Sequence, residues 1–374
     1  MQVIRPMYGS SHHTRPIRPE DKPALAQLAA RAFPPTQAAF VQAGDEGFVI
    51  EADRGLAAAI VLRVMVLPGG RRVGFVAWVL TDPDHRGRGH ASALVERGIA
   101  RLEALGCEGI LTEIEGYNSA SQAVFHRLQF RPIGLGDQIG ALGLRGAAWF
   151  RLRSGYTADT GHFLWMRGAA PTPPVEMTQR LAAWGMNAVF ALIALAFGGG
   201  LLLADAPRWP APAELARLLV AVAFVLAVRE LAMRAAAGAL GLPVVFRAWD
   251  SGLGIAAAIA LLFGRLFPLP GSLYPRQPGW RHAEALPALG AAALAGAAAL
   301  ALVVAGARWV AAAHAGTPAG AFAGSVLLIG KPLLLFDTVM AFAPFQSFNA
   351  RRIYEWHRGL WAVVAVVGVS LFLA

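Results

Sequence analysis

The pattern of apolar positions divides the chain in two. Up to about Pro174 apolar residues come in short runs broken by charges, and beyond Gln179 they fuse into long blocks of Ala, Leu, Val and Gly. In the first part "TRPIR" reads as a strand and "DKPALAQLAARAF" as a helix, because Leu25, Leu28, Ala29 and Phe33 recur at helical spacing. "EGFVIEAD", "GLAAAIVLRVMVL" and, after the Gly69-Gly70 turn, "RRVGFVAWVLTD" read as an antiparallel meander. A helix "HASALVERGIARLEALG", a strand "GILTEIEG", a second helix "SASQAVFHRLQ" and a late strand "GHFLWMRG" follow. The order is α+β, with a strand feeding a glycine-rich turn and then a helix.

The second part reads as membrane helices. Leu181 to Ala204 holds no charged residue and exceeds the roughly 20 residues a span needs. Ala285 to Ala307 is equally apolar. The other segments are interrupted: Leu215 to Leu242 by Arg217, Arg229, Glu230 and Arg234, and Ala315 to Pro344 by Lys331 and Asp337, while Ser251 to Gly264 is short and Gly359 to Ala374 comes last. This predicts an all-α polytopic membrane domain of about six spans over 179–374, joined by a Pro-rich linker at 169–178 to a domain over 1–168. Arg229 and Glu230, adjacent inside an apolar run, each cost about 2.5 to 3.5 kcal/mol at a bilayer centre. They are expected to face a bundle interior and be paired, Glu230 with Arg234 one turn on.

Composition sharpens this picture. At 56% hydrophobic and 15% charged residues, the chain of 374 residues is not an ordinary soluble protein. Its +10 charge invites a nucleic-acid reading, but residues 1–175 hold 19 Lys+Arg against 15 Asp+Glu, and the other 14 cations lie among membrane segments. No basic block is interleaved with aromatics, so nucleic acid is excluded as a partner. The single cysteine, Cys107, rules out an internal disulfide and any zinc site built on several cysteines. No signal-peptide core precedes the first strand, and His12 and His13 read as a solvated lead-in. The expectation is therefore an inner-membrane, multi-pass protein with a cytoplasmic N-terminal domain.

The glycine-rich turn is "DPDHRGRGHASALV". Gly87 and Gly89 let the backbone curl, and Ala91 permits close approach where the helix begins. Free amides at the positive end of a helix make an anion site suited to a pyrophosphate, to which Arg86 and Arg88 add charge. A plain structural turn would look the same. No G-K-[ST] follows, which excludes a Walker loop, and the third glycine of the dinucleotide fingerprint is missing.

"RGRGHA", Arg86 to Ala91, resembles the Q/R-x-x-G-x-G/A loop of the GNAT acyltransferase superfamily. "NSASQAVFHRLQFRPIG" resembles that family's second motif, with Asn118 and Phe130 matching, and "TRPIRPEDKPALAQLAARAF" resembles its opening strand and helix. The resemblance covers residues 14–168 and implies a central mixed sheet with flanking helices. It also implies acetyl-CoA, or another acyl-CoA, as co-substrate. Its pyrophosphate would sit on the amides of Arg86, Gly87, Arg88, Gly89, His90 and Ala91, with Asn118 nearby and the pantetheine arm along Leu80 and Thr81. An amine acceptor of unknown identity would attack the thioester. The family's usual proton-donating Tyr falls on Phe125, and its usual Gly before the closing Phe is Gln129; Tyr117, Ser119 and His126 are the nearby substitutes. Glu113 and Glu115, two apart on a strand, are the candidate bases and share a sheet face. Asp82, Asp84 and His85 read as shaping the turn.

A second resemblance covers 214–374. "VRELAMRAAAGALGLPVVFRAWDSGLG", "PLPGSLYP" and "APFQSFNARRIYEWHRGLWAV" resemble segments of the site-two-protease type of intramembrane metalloprotease. Arg229 and Met233 stand at its two histidine positions, and Asn349 at that of its aspartate ligand. Cationic Arg and neutral Met and Asn cannot hold the zinc, so the resemblance implies a protease-like scaffold with neither metal nor proteolysis. The combined expectation is a membrane-bound N-acetyltransferase whose second half anchors it in the bilayer and presents a lipid or transmembrane partner. The alternative is a non-enzymatic regulator that senses acyl-CoA and grips a transmembrane helix.

Overall fold

The structure is a computed structural model that describes all residues except 1–13, 43, 45, 54, 170–174, 202–205 and 278. His12, His13 and the centre of the expected linker lie outside the described residues. The N-terminal part runs β1 (Thr14–Pro16), α1 (Lys22–Ala32), α2 (Pro35–Ala38), β2 (Glu46–Glu51), β3 (Leu56–Val66), β4 (Arg72–Thr81), α3 (His90–Ala104), β5 (Gly109–Glu115), α4 (Ser119–Arg127), β6 (Phe130–Pro132), α5 (Leu135–Leu142), α6 (Leu144–Ser154) and β7 (His162–Arg167). Its strands form one sheet in the order β1-β2-β3-β4-β5-β7-β6. All neighbours are antiparallel except β4 and β5.

β3 reads "LAAAIVL" without alternation because both its faces are covered. Ile60 and Leu62 pack with Leu94, Ile99 and Leu102 of α3, while Ala59 and Val61 pack with Leu25, Leu28 and Ala29 of α1. Small alanines let the layers approach, and residues 56–62 are 4% exposed or less. The α5–α6 pair between β6 and β7 is absent from the sequence-based reading; its two helices meet at Gly143, held at φ +74°. That left-handed kink favours glycine.

The C-terminal part comprises α7 (Glu176–Ala196), α8 (Pro212–Ala239), β8 (Val244–Arg247), α9 (Leu253–Phe263), β9 (Ser272–Pro275), α10 (His282–Ala313), α11 (Pro318–Thr338), α12 (Asn349–Trp356) and α13 (Arg358–Leu373). The all-α expectation is corrected by β8 and β9, an antiparallel pair of four residues each. Strands so short and so far apart in sequence leave no readable period. Among the described residues three helices, α7, α10 and α11, are long and apolar enough to cross a membrane. α8 has 28 residues but carries the charges noted above, and α9 and α13 are apolar but only 11 and 16 residues long. The described helices thus support three candidate spans, short of the six expected.

The charges inside α8 are buried and paired. Glu230, 6% exposed, accepts from Arg180 of α7 at 2.7 Å and from Arg234 at 3.0 Å. Arg229, 1% exposed, donates from Nε and Nη2 to Asp337 of α11 at 2.5 and 3.1 Å, and from Nη1 to the Gly271 carbonyl at 3.1 Å. Asp337 also accepts from the Asn349 side chain at 2.8 Å and from its backbone N–H at 3.2 Å. Breaking a buried pair leaves one charge uncompensated, at about 3 to 5 kcal/mol. Asp337→Asn should therefore lower the unfolding free energy of the detergent-solubilised protein by that order, as read from denaturant unfolding curves, and Arg229→Met with Asp337→Leu should recover most of the loss.

Candidate active site

The cleft arises where two parallel strands part. β4 pairs with β5 only from Val73–Val76 to Gly109–Thr112; β4 then runs on to Thr81 and β5 to Glu115. Opposite β3 the register slips, Val61 pairing with Trp78 but Leu62 with Val76, which leaves Ala77 as a bulge. A bulge bends its strand and leaves the extra residue unpaired. Leu80 and Thr81 bond to β3 along one edge and, among the described residues, have no strand partner on the other.

At the end of β4 the turn carries Gly87 at φ +78° and Gly89 at φ +81°, with Gly89 as the N-cap of α3. A side chain at either glycine would meet no neighbour, so the backbone conformation alone calls for glycine. Arg86 and Arg88 donate to the carbonyls of Ala32 and Asp84, both at 3.2 Å. Asp82 caps the preceding turn by accepting from the Asp84 amide at 3.0 Å. Asn118 serves as the N-cap of α4, accepting from the Ser121 amide at 3.0 Å.

A cavity of about 780 Å³ fills the parting of the strands, with Glu113, Glu115, Tyr117, Asn118 and Phe125 in its wall. The two carboxylates share the cleft but differ in partners. Glu115 accepts from Ser347 at 2.8 Å and from the Tyr117 amide at 2.8 Å. Glu113 Oε2 is buried with no hydrogen-bond partner; burial pushes its carboxyl well above the usual range, the Asp159 carboxylate adds to the rise, and Arg63 opposes it. Tyr117 donates to the Leu273 carbonyl at 2.8 Å and shares a 2.8 Å bond with Ser272; burial raises its pKa. Phe125 packs edge-on against Phe130 with centroids 5.1 Å apart. His126 is exposed beside Arg131, and partial burial lowers its pKa. Ser119 accepts from the His282 amide at 3.0 Å.

Part of the cavity wall belongs to the other half of the chain: His282, Pro344, Gln346, Arg351, Arg352 and Glu355. The Arg352 guanidinium lies 4.1 Å from the Tyr117 ring centroid and donates to Asn349 at 2.6 Å. The halves meet with side chains of the C-terminal half against glycine backbone: a Cβ on Gly116 would lie 2.3 Å from the Tyr274 ring, and one on Gly161 would lie 2.2 Å from the Ser347 side chain. Asp159, His162 and this C-terminal wall escaped the sequence reading. They bear no motif and reach the cleft only through folding.

The three positions equated with protease ligands also converge. Asn349 Nδ2 lies 3.6 Å from the Met233 sulfur, and both Asn349 and Arg229 bond Asp337. Gly296 of α10 makes room, since a Cβ there would lie 2.6 Å from Met233. A guanidinium paired with its carboxylate occupies this point, so the residues present do not fit a dication. Among the described residues no group of three or more His, Cys, Asp or Glu side chains could hold a metal ion.

Residues 13–130 match the model of the acetyltransferase (GNAT) family. The N-terminal part carries a GNAT acetyltransferase domain. The match covers less than half of the chain. Mycothiol acetyltransferase of Saccharomonospora viridis is 38% identical over 65 residues, 17% of this chain and 21% of that protein, so the chain spans about a fifth of this relative's length. Among solved structures, the ribosomal-protein-S18-alanine N-acetyltransferase of Escherichia coli aligns at 18% identity and TM-score 0.31, over 44% of this chain and 97% of its own. The N-acetylglutamate synthase of Neisseria gonorrhoeae, complexed with coenzyme A and N-acetyl-glutamate, aligns at 15% identity and TM-score 0.33, over 42% and 35%.

The Glu113 environment has a thermodynamic signature. Its folded pKa is raised, so between the unfolded and folded values the native state binds more protons, and stability falls as pH rises through that window. Glu113→Gln should raise the thermal midpoint at neutral pH and remove this fall, as read by unfolding curves across pH.

Proposed function

We propose that the protein is a membrane-bound N-acetyltransferase that moves an acetyl group from acetyl-CoA to an amine, with Glu113 as the general base. The observation that carries this reading is Glu113 itself, a carboxyl of raised pKa with one buried, unpartnered oxygen, in a cleft that opens beside a glycine turn at a helix N-terminus. In this reading the pyrophosphate rests on the amides of 86–91. The pantetheine lies along the free edge of β4 at Leu80 and Thr81, and the Ala77 bulge directs an amide at the thioester oxygen. Glu113 takes the proton of the attacking amine as the N–C bond forms. The C–S bond then breaks and coenzyme A leaves as a thiolate that needs little protonation near neutral pH. Phe125 therefore need not donate a proton, and Tyr117, whose hydroxyl proton is committed to Leu273, serves as an anchor between the halves.

The C-terminal half is read as a metal-free, site-two-protease-like bundle in the inner membrane, the N-terminal domain being cytoplasmic. Convergence of Arg229, Met233 and Asn349 on one point supports that likeness. Because this half supplies part of the cavity wall, the acceptor is read as a membrane-derived amine presented from that side. The bonds of Glu115 and Tyr117 to Ser347 and Ser272 favour one other reading, a sensor in which acyl-CoA occupancy shifts the bundle. Turnover separates the two. Full-length protein in lipid vesicles should release free coenzyme A with a membrane-derived amine fraction. Glu113→Gln should reduce that rate by about 10²- to 10⁴-fold and abolish the acidic limb of its pH profile, while Gly89→Glu should abolish acetyl-CoA binding. Binding with no release over a broad amine panel would favour the sensor.

A further inference from the structure

The α5–α6 pair has no role in the chemistry above, and its outer face is unusual. Inward, α6 buries Ala147, Phe150 and Arg151, and Arg151 bonds the Asp250 carboxylate at 3.0 Å and the Asp250 carbonyl. Outward, Leu144, Ala148 and Leu152 at i, i+4 and i+8 form one exposed row; Leu144 and Leu152 are 69% and 70% exposed. The adjoining row is Arg145, Trp149 and Arg153, with the Arg153 guanidinium 5.6 Å from the Trp149 ring. Between α5 and α6 an apolar groove of about 320 Å³ runs past Leu135 and Ile139 to Thr157.

The position of this face names its partner. The Thr157 carbonyl accepts from the Gly254 and Ile255 amides at 2.9 and 3.1 Å, and the Tyr156 carbonyl from the Gly252 amide at 3.2 Å. The groove therefore ends at the first turn of α9, an apolar helix of the C-terminal half. A helix face of leucine, tryptophan and arginine at the mouth of a membrane bundle has the composition of an interfacial segment. The leucines lie among acyl chains, the indole at headgroup level, and the arginines reach lipid phosphates.

We propose that α5–α6 is a second, interfacial anchor, with the Leu144–Ala148–Leu152 row immersed in the bilayer surface beside α9 and Arg145 and Arg153 on anionic headgroups. The proposal rests on the reading that the C-terminal half spans the membrane. It would hold the acetyl-transfer cleft at a fixed height above the lipid, where a membrane-derived amine can reach it.

The single cysteine allows a clean test. In a Cys107→Ala background, a nitroxide at Leu144→Cys or Leu152→Cys is read by paramagnetic resonance in vesicles of phosphatidylcholine with phosphatidylglycerol. Leu302→Cys, 75% exposed on α10, is the control. All three labels should be relaxed more by oxygen than by a water-soluble nickel chelate. Immersion at Leu144 should weaken in phosphatidylcholine alone and with Arg145→Gln and Arg153→Gln combined. A nickel-accessible label at Leu144 and Leu152 with Leu302 still in lipid overturns the anchor and leaves the membrane reading standing. If Leu302 is nickel-accessible too, the membrane reading falls and takes the anchor with it. Immersion indifferent to both charge changes overturns the anionic-headgroup contact.

Discussion

The structure depends on one buried ion pair, Arg229 with Asp337. Neither charge could remain inside an apolar bundle alone, and each is satisfied by bonds that also fix its neighbours. Arg229 joins α8 to α11 and, through the Gly271 carbonyl, to the residue before β9. Asp337 holds Asn349 at the start of α12. Asn349 orients Arg352, and Arg352 lies against the ring of Tyr117 in the other half of the chain. The network thus runs unbroken from the centre of the bundle to the wall of the cleft.

This continuity gives the cleft its shape. A sheet whose parallel strands part makes an opening, but an opening needs walls. One wall is the C-terminal segment around Pro344 to Glu355, held by Ser347 on Glu115 and by Tyr117 on Ser272 and Leu273. Tying down Glu115 leaves Glu113 as the carboxyl of that pair with an unpartnered buried oxygen. The two differ by their partners, since strand geometry places them alike. Glycines 116 and 161 permit the contact because any side chain there would overlap the opposing half.

Much of the N-terminal part was legible because its signals are local. The meander, the turn at Gly87 and Gly89 and the flanking helices follow from period and from backbone freedom within a few residues. The α5–α6 pair was not, since "LGDQIGALGLRGAAWFRLRS" mixes leucine, glycine and arginine on the same exposed face and so hides its helical period. The β8–β9 pair was equally hidden, four residues finding four others across an intervening helix. Adjacent charges in α8 announced a buried partner, but Asp337 lies 108 residues away, and nothing in the chain's own pattern joins them.

The sequence by itself determined where apolar surface must be covered, where the backbone must turn left-handed, and that Arg229 and Glu230 needed partners, because these are demands of single residues and short windows. Only the tertiary structure decided which partners answer those demands, why Glu113 and Glu115 part company, and that the cleft is walled by both halves. Burial, electrostatic neighbours and cavity shape belong to pairs of residues, and distant residues become pairs only when the chain has closed on itself.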